Sequence, residues 1–277
     1  MLFIDLAKEY LKEDAEELAP LTVSTYRWNL RKVELFSPGL PVEGVDVEFI
    51  RDYRKHLVEC GNKPATINKA LSVLRIFTRK FVSDGRLPKD PFEKIKIPRV
   101  YSNRGFLNLK ELKSLYLNFF DNEGVLTEME GESVRVFLFS CFTGLRFSDL
   151  RTLEWREVVN GKILKRMHKT GDPVYIPIPA QARLLLPRRV DGCIFRIPDN
   201  STFNKRLRRA VRKLGVSRYV HCHMARHTFA TTCITIGIPL PVTSKLLGHR
   251  NLETTLIYAK FVDVLLDKEM KKFDRLK

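Results

Sequence analysis

Apolar positions recur at helical spacing through most of the chain, and strict alternation is confined to one short region. Residues 1–19 place Leu2, Leu6, Tyr10 and Leu11 on one stripe, with charged residues between them. Residues 22–36 predict a second helix, with Thr22 or Ser24 as its cap and Tyr26, Leu30, Val33 and Phe36 as its stripe. A Pro/Gly segment at 37–44 breaks the pattern. Helices at 47–60 and 65–84 follow, the latter carrying Ile67, Leu71, Leu74, Phe77 and Phe81 on one face. Helices joined by such short connections predict a compact all-helical N-terminal domain.

Pro88, Pro91 and Pro98 then punctuate a basic stretch, and the domain boundary is placed within residues 88–104. The expected division is 1–98 and 99–277. The second domain opens with Asn108-Leu109-Lys110-Glu111, a capping-box pattern that feeds a helix to about residue 120. The strongly apolar run 132–143 predicts a buried helix ended by Gly144, and Ser148-Asp149 starts a short one. Within 155–179 the period changes. Val158, Val159, Ile163 and Leu164, then Val174, Tyr175, Ile176 and Ile178, read as strands, with turns at Asn160-Gly161 and 169–172. Beyond Pro179, helices are predicted at 180–186, 201–214, 224–236, 241–247, 252–258 and 262–273. The expected fold class is mainly α: a helical N-terminal domain, then a mixed, mostly helical domain with a small antiparallel sheet.

Charge sharpens this picture. The 277 residues include 49 Lys and Arg against 32 Asp and Glu, a net of +17 that favours a polyanionic partner. Residues 1–98 hold 17 basic and 15 acidic side chains, and residues 99–277 hold 32 and 17, so the nets are +2 and +15. The excess lies in the second domain. Cysteines 60, 141, 193, 222 and 233 are scattered without a CxxC pair, as expected for reduced thiols in a cytosolic protein. The start of the chain carries Asp5 and Glu9, unlike a signal peptide, and the apolar run 134–143 is too short for a bilayer.

Candidate chemistry clusters late in the chain. The 201–214 helix carries Lys205, Arg206, Arg208, Arg209, Arg212 and Lys213, and no acid interrupts residues 202–227. One reading is a solvated basic face, and the other is contact with backbone phosphates. His221-Cys222-His223-Met224-Ala225-Arg226-His227 follows, with His223 and Arg226 one helical turn apart. An imidazole beside a guanidinium suits phosphate binding, because arginine presents a rigid fork of donors and stays charged. Arg146, Lys169, His249 and Tyr258 would each pass singly as ordinary surface or half-buried residues.

Their order resembles a known family. Thr143-Gly144-Leu145-Arg146-Phe147-Ser148-Asp149-Leu150, His223-Met224-Ala225-Arg226-His227-Thr228, Leu246-Leu247-Gly248-His249-Arg250 and the closing Tyr258-Ala259 are similar to the motifs of the tyrosine recombinases, the phage-type integrases. The likeness spans nearly the whole chain. It leads to the expectation of a member closer to the Xer-like or small transposon and integron-type recombinases, with no arm-type DNA-binding domain ahead of the helical domain. It implies a core-type DNA-binding domain at 1–98 and a catalytic domain at 99–277.

The resemblance implies a catalytic set of Arg146, Lys169, His223, Arg226, His249 and Tyr258, supported by Asp149, with Lys165 as a weaker alternative to Lys169. It implies double-stranded DNA with a specific site as substrate, strand exchange through a 3′-phosphotyrosyl link, no metal and no energy cofactor. It also implies a monomer in solution that assembles as a tetramer on two sites through the apolar 261–273 tail, the alternative being a helix packed on its own domain, and action in the cytoplasm on nucleoid DNA. Arg27, Arg31, Lys32, Arg75, Arg79 and Lys80 form local basic faces on the first domain, and the Pro-rich linker suggests a clamp around the duplex. Competing readings are a non-catalytic DNA-binding regulator of the same fold, a metal-dependent nuclease and a type IB topoisomerase. The complete residue set opposes the first. The Leu-Leu-Gly-His segment opposes the last.

Overall fold

The computed structural model describes residues 1–98, 100, 105–122 and 124–258. It divides into two compact units, Met1–Asn103 and Arg104–Lys277. In the first unit, α1 (Phe3–Glu13), α2 (Pro20–Phe36), α3 (Val47–Glu59) and α4 (Pro64–Ser83) enclose a core around Phe3, Tyr53, Phe77 and Phe81. Proline opens α2 and α4, where its missing N–H costs nothing and its fixed φ suits a helix. Asp46 caps α3 by accepting from the Phe49 amide at 2.8 Å.

Helix α1 is shorter than its apolar pattern predicts. It ends at Glu13 and relaxes into a 3-10 turn over Asp14–Glu16. Glu13, Asp14, Glu16 and Glu17 would stack like charge on the negative end of the helix dipole. The buried stripe is also turned from the one expected: Phe3, Ile4, Leu6, Ala7 and Leu11 are buried, while Leu2 is exposed.

The second unit is organised around α6 (Glu128–Thr143), which packs against α9 (Asn200–Lys213) and α10 (Cys222–Thr235). Its buried Val134, Phe137, Leu138, Phe139 and Cys141 explain the apolar run. It begins one turn before that run, because Thr127 and Glu130 form a capping box that satisfies the first amides. Asn108 and Glu111 cap α5 (Leu109–Asp121) in the same way.

After α7 (Phe147–Arg151) come β1 (Val158–Val159), β2 (Lys162–Arg166) and β3 (Pro173–Pro177), an antiparallel sheet in that order with Ile163 opposite Ile176. The positive φ angles of Asn160 and Gly161, 49° and 71°, make the tight β1–β2 turn. Strand β2 departs from hydrophobic alternation: Lys165 faces inward with Ile163, while Leu164 is exposed. Helices α8 (Ala180–Arg183), α11 (Leu240–Leu246) and α12 (Glu253–Leu256) complete the unit. The helix expected at 262–273 lies outside the described residues.

Candidate functional site

Gly144 ends α6 in the left-handed conformation, with φ of 71°. A Cβ there would lie 2.5 Å from a Phe229 ring carbon, so α6 and α10 meet where only glycine fits. This corner delivers Arg146 to the start of α7 in extended backbone conformation, with Asp149 fully buried on the first turn. Arg146 Nη1 stands 3.9 Å from Asp149 Oδ2, and neither atom has a hydrogen-bond partner among the described residues. The other carboxylate oxygen accepts from the His168 amide at 2.7 Å, tying this arginine corner to the β2–β3 turn.

Lys169 is exposed on that turn, between two anchors. Before it stands the His168–Asp149 bond. After it, the Thr170 carbonyl accepts from Arg250 Nη2 at 2.7 Å. Arg250 also holds both oxygens of Asp172, at 2.7 and 3.0 Å, and keeps that carboxyl below its usual range. Lys165, the alternative lysine, is buried with its ammonium engaged. It donates to both oxygens of Glu157, at 2.8 and 3.0 Å, and to the Thr152 carbonyl at 2.8 Å.

Helix α10 carries His223 exposed on its first turn and buries Arg226 one turn later. The Arg226 guanidinium donates from Nη1 to the Gly144 carbonyl at 2.7 Å and from Nη2 to the Leu247 carbonyl. One side chain thus joins three motif segments distant in sequence. Burial, and then the repulsion of Arg146, push its pKa down to about 9, while Tyr258 and Asp149 act the other way. Two close guanidiniums at a largely desolvated point make a receptor for an anion.

Gly248, with φ of 59°, lets the next loop pass Val174, whose Cγ1 would be 2.8 Å from an added Cβ. Beyond it, His249 Nδ1 meets Thr255 Oγ1 at 2.8 Å, which sets the ring orientation. Tyr258 is buried, and its hydroxyl is 2.5 Å from His227 Nδ1. The His227 ring lies edge-to-face against His223, with centroids 4.7 Å apart. His227 is absent from the residue set expected from sequence. Its signal was positional: it follows His223 by four residues and so shares its helix face.

The basic candidates separate into two kinds. On α9, Lys205, Arg209 and Arg212 are exposed at helical spacing, opposite buried Phe203, Leu207, Ala210 and Val211. Arg206 is half-buried, and Arg208 donates to the Tyr219 hydroxyl at 3.0 Å. Lys213 pairs with Glu130 at 2.7 Å and lowers the pKa of that carboxyl. In the first unit, Arg27 is exposed beside an exposed Trp28, and Lys32 reaches Asn62 at 3.4 Å. Arg31 pairs with Glu34, Arg75 and Arg79 with Asp90, and Lys80 with Asp14. Their charge is therefore partly neutralised locally.

Cys222 Sγ lies 3.4 Å from the Asn200 side-chain amide rather than in a ligand cluster. Among the described residues, no group of three or more His, Cys, Asp or Glu is placed to hold a metal ion. None of the described helices is long and apolar enough to cross a membrane.

Comparison with known proteins places these features in context. The model of the phage integrase family matches residues 107–263, and that of the phage integrase SAM-like domain matches residues 2–97. A tyrosine recombinase of Thermosipho africanus is 27% identical over 273 residues, covering 92% of each chain. Tyrosine recombinase XerC of Oceanobacillus iheyensis is 26% identical, covering 99% of this chain and 96% of its own. Among solved structures, the Tn1549 transposon integrase in complex with transposon right end DNA superposes with a TM-score of 0.78 at 16% identity, over 100% of this chain and 99% of that one. A lambda integrase dimer bound to a COC′ core site gives 0.74 at 18% identity, over 93% and 95%.

Proposed function

This chain belongs to the phage integrase family and is an Xer-like tyrosine recombinase, and on that premise we propose how its residues cleave and rejoin DNA. The observation that carries the proposal is the convergence on Arg226. Its guanidinium ties the Gly144–Arg146 corner to the Leu247–His249 loop, and Tyr258 is near enough to act on its charge.

A scissile phosphodiester seats between Arg146 and Arg226, which balance charge on the two non-bridging oxygens as five-coordinate phosphorus forms. Losing one such contact costs about 3–4 kcal/mol, roughly two to three decades in rate. The Tyr258 oxygen attacks phosphorus, forming a 3′-phosphotyrosyl bond as the bond to the 5′-oxygen breaks. Lys169 protonates that leaving oxygen, since an alkoxide leaves poorly. His249, oriented through Thr255, donates to a phosphate oxygen, and His223, at the rim of the same site, binds phosphate and assists proton transfer from Tyr258. Asp149 orients Arg146 and the turn that bears Lys169. The covalent link conserves the bond energy, and attack by the 5′-hydroxyl of another strand rejoins the DNA without an energy donor.

The exposed cations of α9 position double-stranded DNA, and Arg27 and Lys32 of the first unit add their own contacts to it. Four protomers on two specific sites complete an exchange in the cytoplasm. A lambda integrase tetramer bound to a Holliday junction, of like fold, supports that assembly.

The test is a nicked suicide substrate carrying the recognition site, assayed in EDTA. A covalent adduct on the 3′ side, lost in Tyr258→Phe, is expected. No adduct on a site that the protein demonstrably binds would overturn the enzyme reading in favour of a DNA-binding regulator.

A further inference from the structure

Tyrosine must lose its proton to attack phosphorus, and the acceptor has to stand within hydrogen-bond reach of the phenol oxygen. Three histidines adjoin the site. His223 is exposed at the rim, and His249 is turned by Thr255. His227 is buried on α10, with Nδ1 2.5 Å from the Tyr258 hydroxyl. The tyrosine ring packs with Phe229, Ala230, Cys233, Ile234 and Leu247, so its hydroxyl is held away from bulk water, the usual competing acceptor.

We infer that His227 is a catalytic residue of this enzyme: its Nδ1 takes the phenolic proton of Tyr258 during strand cleavage and returns it during rejoining. The inference rests on the assignment of Tyr258 as nucleophile. In the forward step the phenol O–H bond breaks, its proton bonds to His227 Nδ1, and the phenolic oxygen bonds to phosphorus. The bond to the 5′-oxygen breaks, and Lys169 protonates that oxygen. On rejoining, the 5′-hydroxyl proton returns to Lys169, the phosphotyrosyl bond breaks, and the imidazolium returns its proton to the phenolate. Protons and electron pairs balance with no further reactant.

The imidazole has two aromatic neighbours in the site. His227 meets Tyr258 from the C-terminal side of the site and His223 from its own helix. Arg146, Asp149 and Tyr258 act on the charge of Arg226, the residue before His227 on α10. The His223 ring covers one edge of His227 and links this buried imidazole to the exposed rim.

Variants His227→Asn, His227→Ala and His223→Asn separate the roles. Asparagine keeps a hydrogen-bond acceptor near the place of Nδ1 but takes no proton at neutral pH. Adduct formation on the nicked substrate is followed in single turnover against pH, with DNA affinity and melting temperature measured alongside. For wild type, the rate should rise with pH through the imidazole range. Both His227 variants should lose that rise and be roughly a hundredfold slower at neutral pH, with DNA affinity retained in His227→Asn. His223→Asn should keep the rise. A His227→Asn enzyme with the wild-type rate and profile would overturn the inference, as would loss of the rise only in His223→Asn. If His227→Ala does not fold, His227→Asn and the wild-type profile in the His223→Asn background still decide. Adduct formation by wild type that persists in Tyr258→Phe would instead overturn the nucleophile assignment itself.

Discussion

Arg250 grips Asp172 through Nε and Nη2 and also binds the Thr170 carbonyl, fastening the β2–β3 turn to the loop that carries His249. The latch lies on the far side of Lys169 from the Asp149–His168 bond. Releasing either end lets the proposed acid swing out of line.

Arg250→Ala and Asp172→Asn should therefore slow adduct formation roughly ten- to a hundredfold while leaving DNA affinity intact. Arg250 lowers the pKa of Asp172. An acid lowered on folding contributes stability above its unfolded pKa and loses it as pH falls through the lowered one. The latch is thus closed at neutral pH and opens only below the ordinary carboxylate range. The Asp172 carboxyl resonance, titrated by NMR, checks that order.

The two lysines of the hairpin should fail in opposite ways. Lys165 is buried on Glu157, which is itself about a fifth exposed, so Lys165→Ala should cost about 2–3 kcal/mol of the stability of the second unit. Lys169→Ala should melt like wild type yet cleave poorly. A substrate with sulfur replacing the 5′-bridging oxygen should restore its cleavage, because a thiolate leaves without an acid. Thermal melts and adduct assays on both variants test this.

Inorganic phosphate should stabilise the unliganded protein by occupying the arginine pair, by about 2.7 kcal/mol at a hundredfold excess over its Kd. Arg226 has a pKa near 9 in the folded state, far below its unfolded value. Without an anion, the folded state binds fewer protons above that value, so folding stability rises with pH there. Phosphate favours the charged guanidinium and flattens the trend. Its effect on melting temperature should be large near neutrality, smaller above about pH 9, and much reduced in Arg146→Ala.

Gly144→Ala should destabilise the second unit. The new Cβ meets Phe229 at 2.5 Å and forces a left-handed φ of 71° on an L side chain. The backbone term alone is about 1–2 kcal/mol. Adding Phe229→Ala should remove the collision but not that term, so calorimetry of the double variant should show partial relief, after allowance for the cavity left by the lost ring.

Neutralising Lys205, Arg209 and Arg212 together should flatten the dependence of DNA affinity on salt. Each lost phosphate contact reduces the slope by about 0.9. Lys213→Ala should change it little, since that charge already faces Glu130. Filter binding across a salt series reports the slopes.

Helix periodicity and turn residues carried most of the element order, and motif order named the residue types of the candidate site. Local patterns sufficed there because 3.6-residue stripes, capping boxes and glycine turns are decided by neighbours in sequence. Where local rules competed, the reading was less exact. The acidic run after Leu11 cut α1 short, and the Thr127–Glu130 box opened α6 before its apolar run began. Long-range contacts decided the rest. Nothing near Lys165 announces that Glu157 and the Thr152 carbonyl hold it inward against the strand pattern. Nothing near Arg226 reveals that its two nitrogens reach carbonyls 82 and 21 residues away. His227 was visible as a third histidine, but its contact with the Tyr258 hydroxyl depended on a residue 31 positions on folding back onto α10. The chain order names the chemical groups, whereas only packing in three dimensions determines which donor faces which acceptor, because a hydrogen bond acts over about 3 Å regardless of separation along the chain.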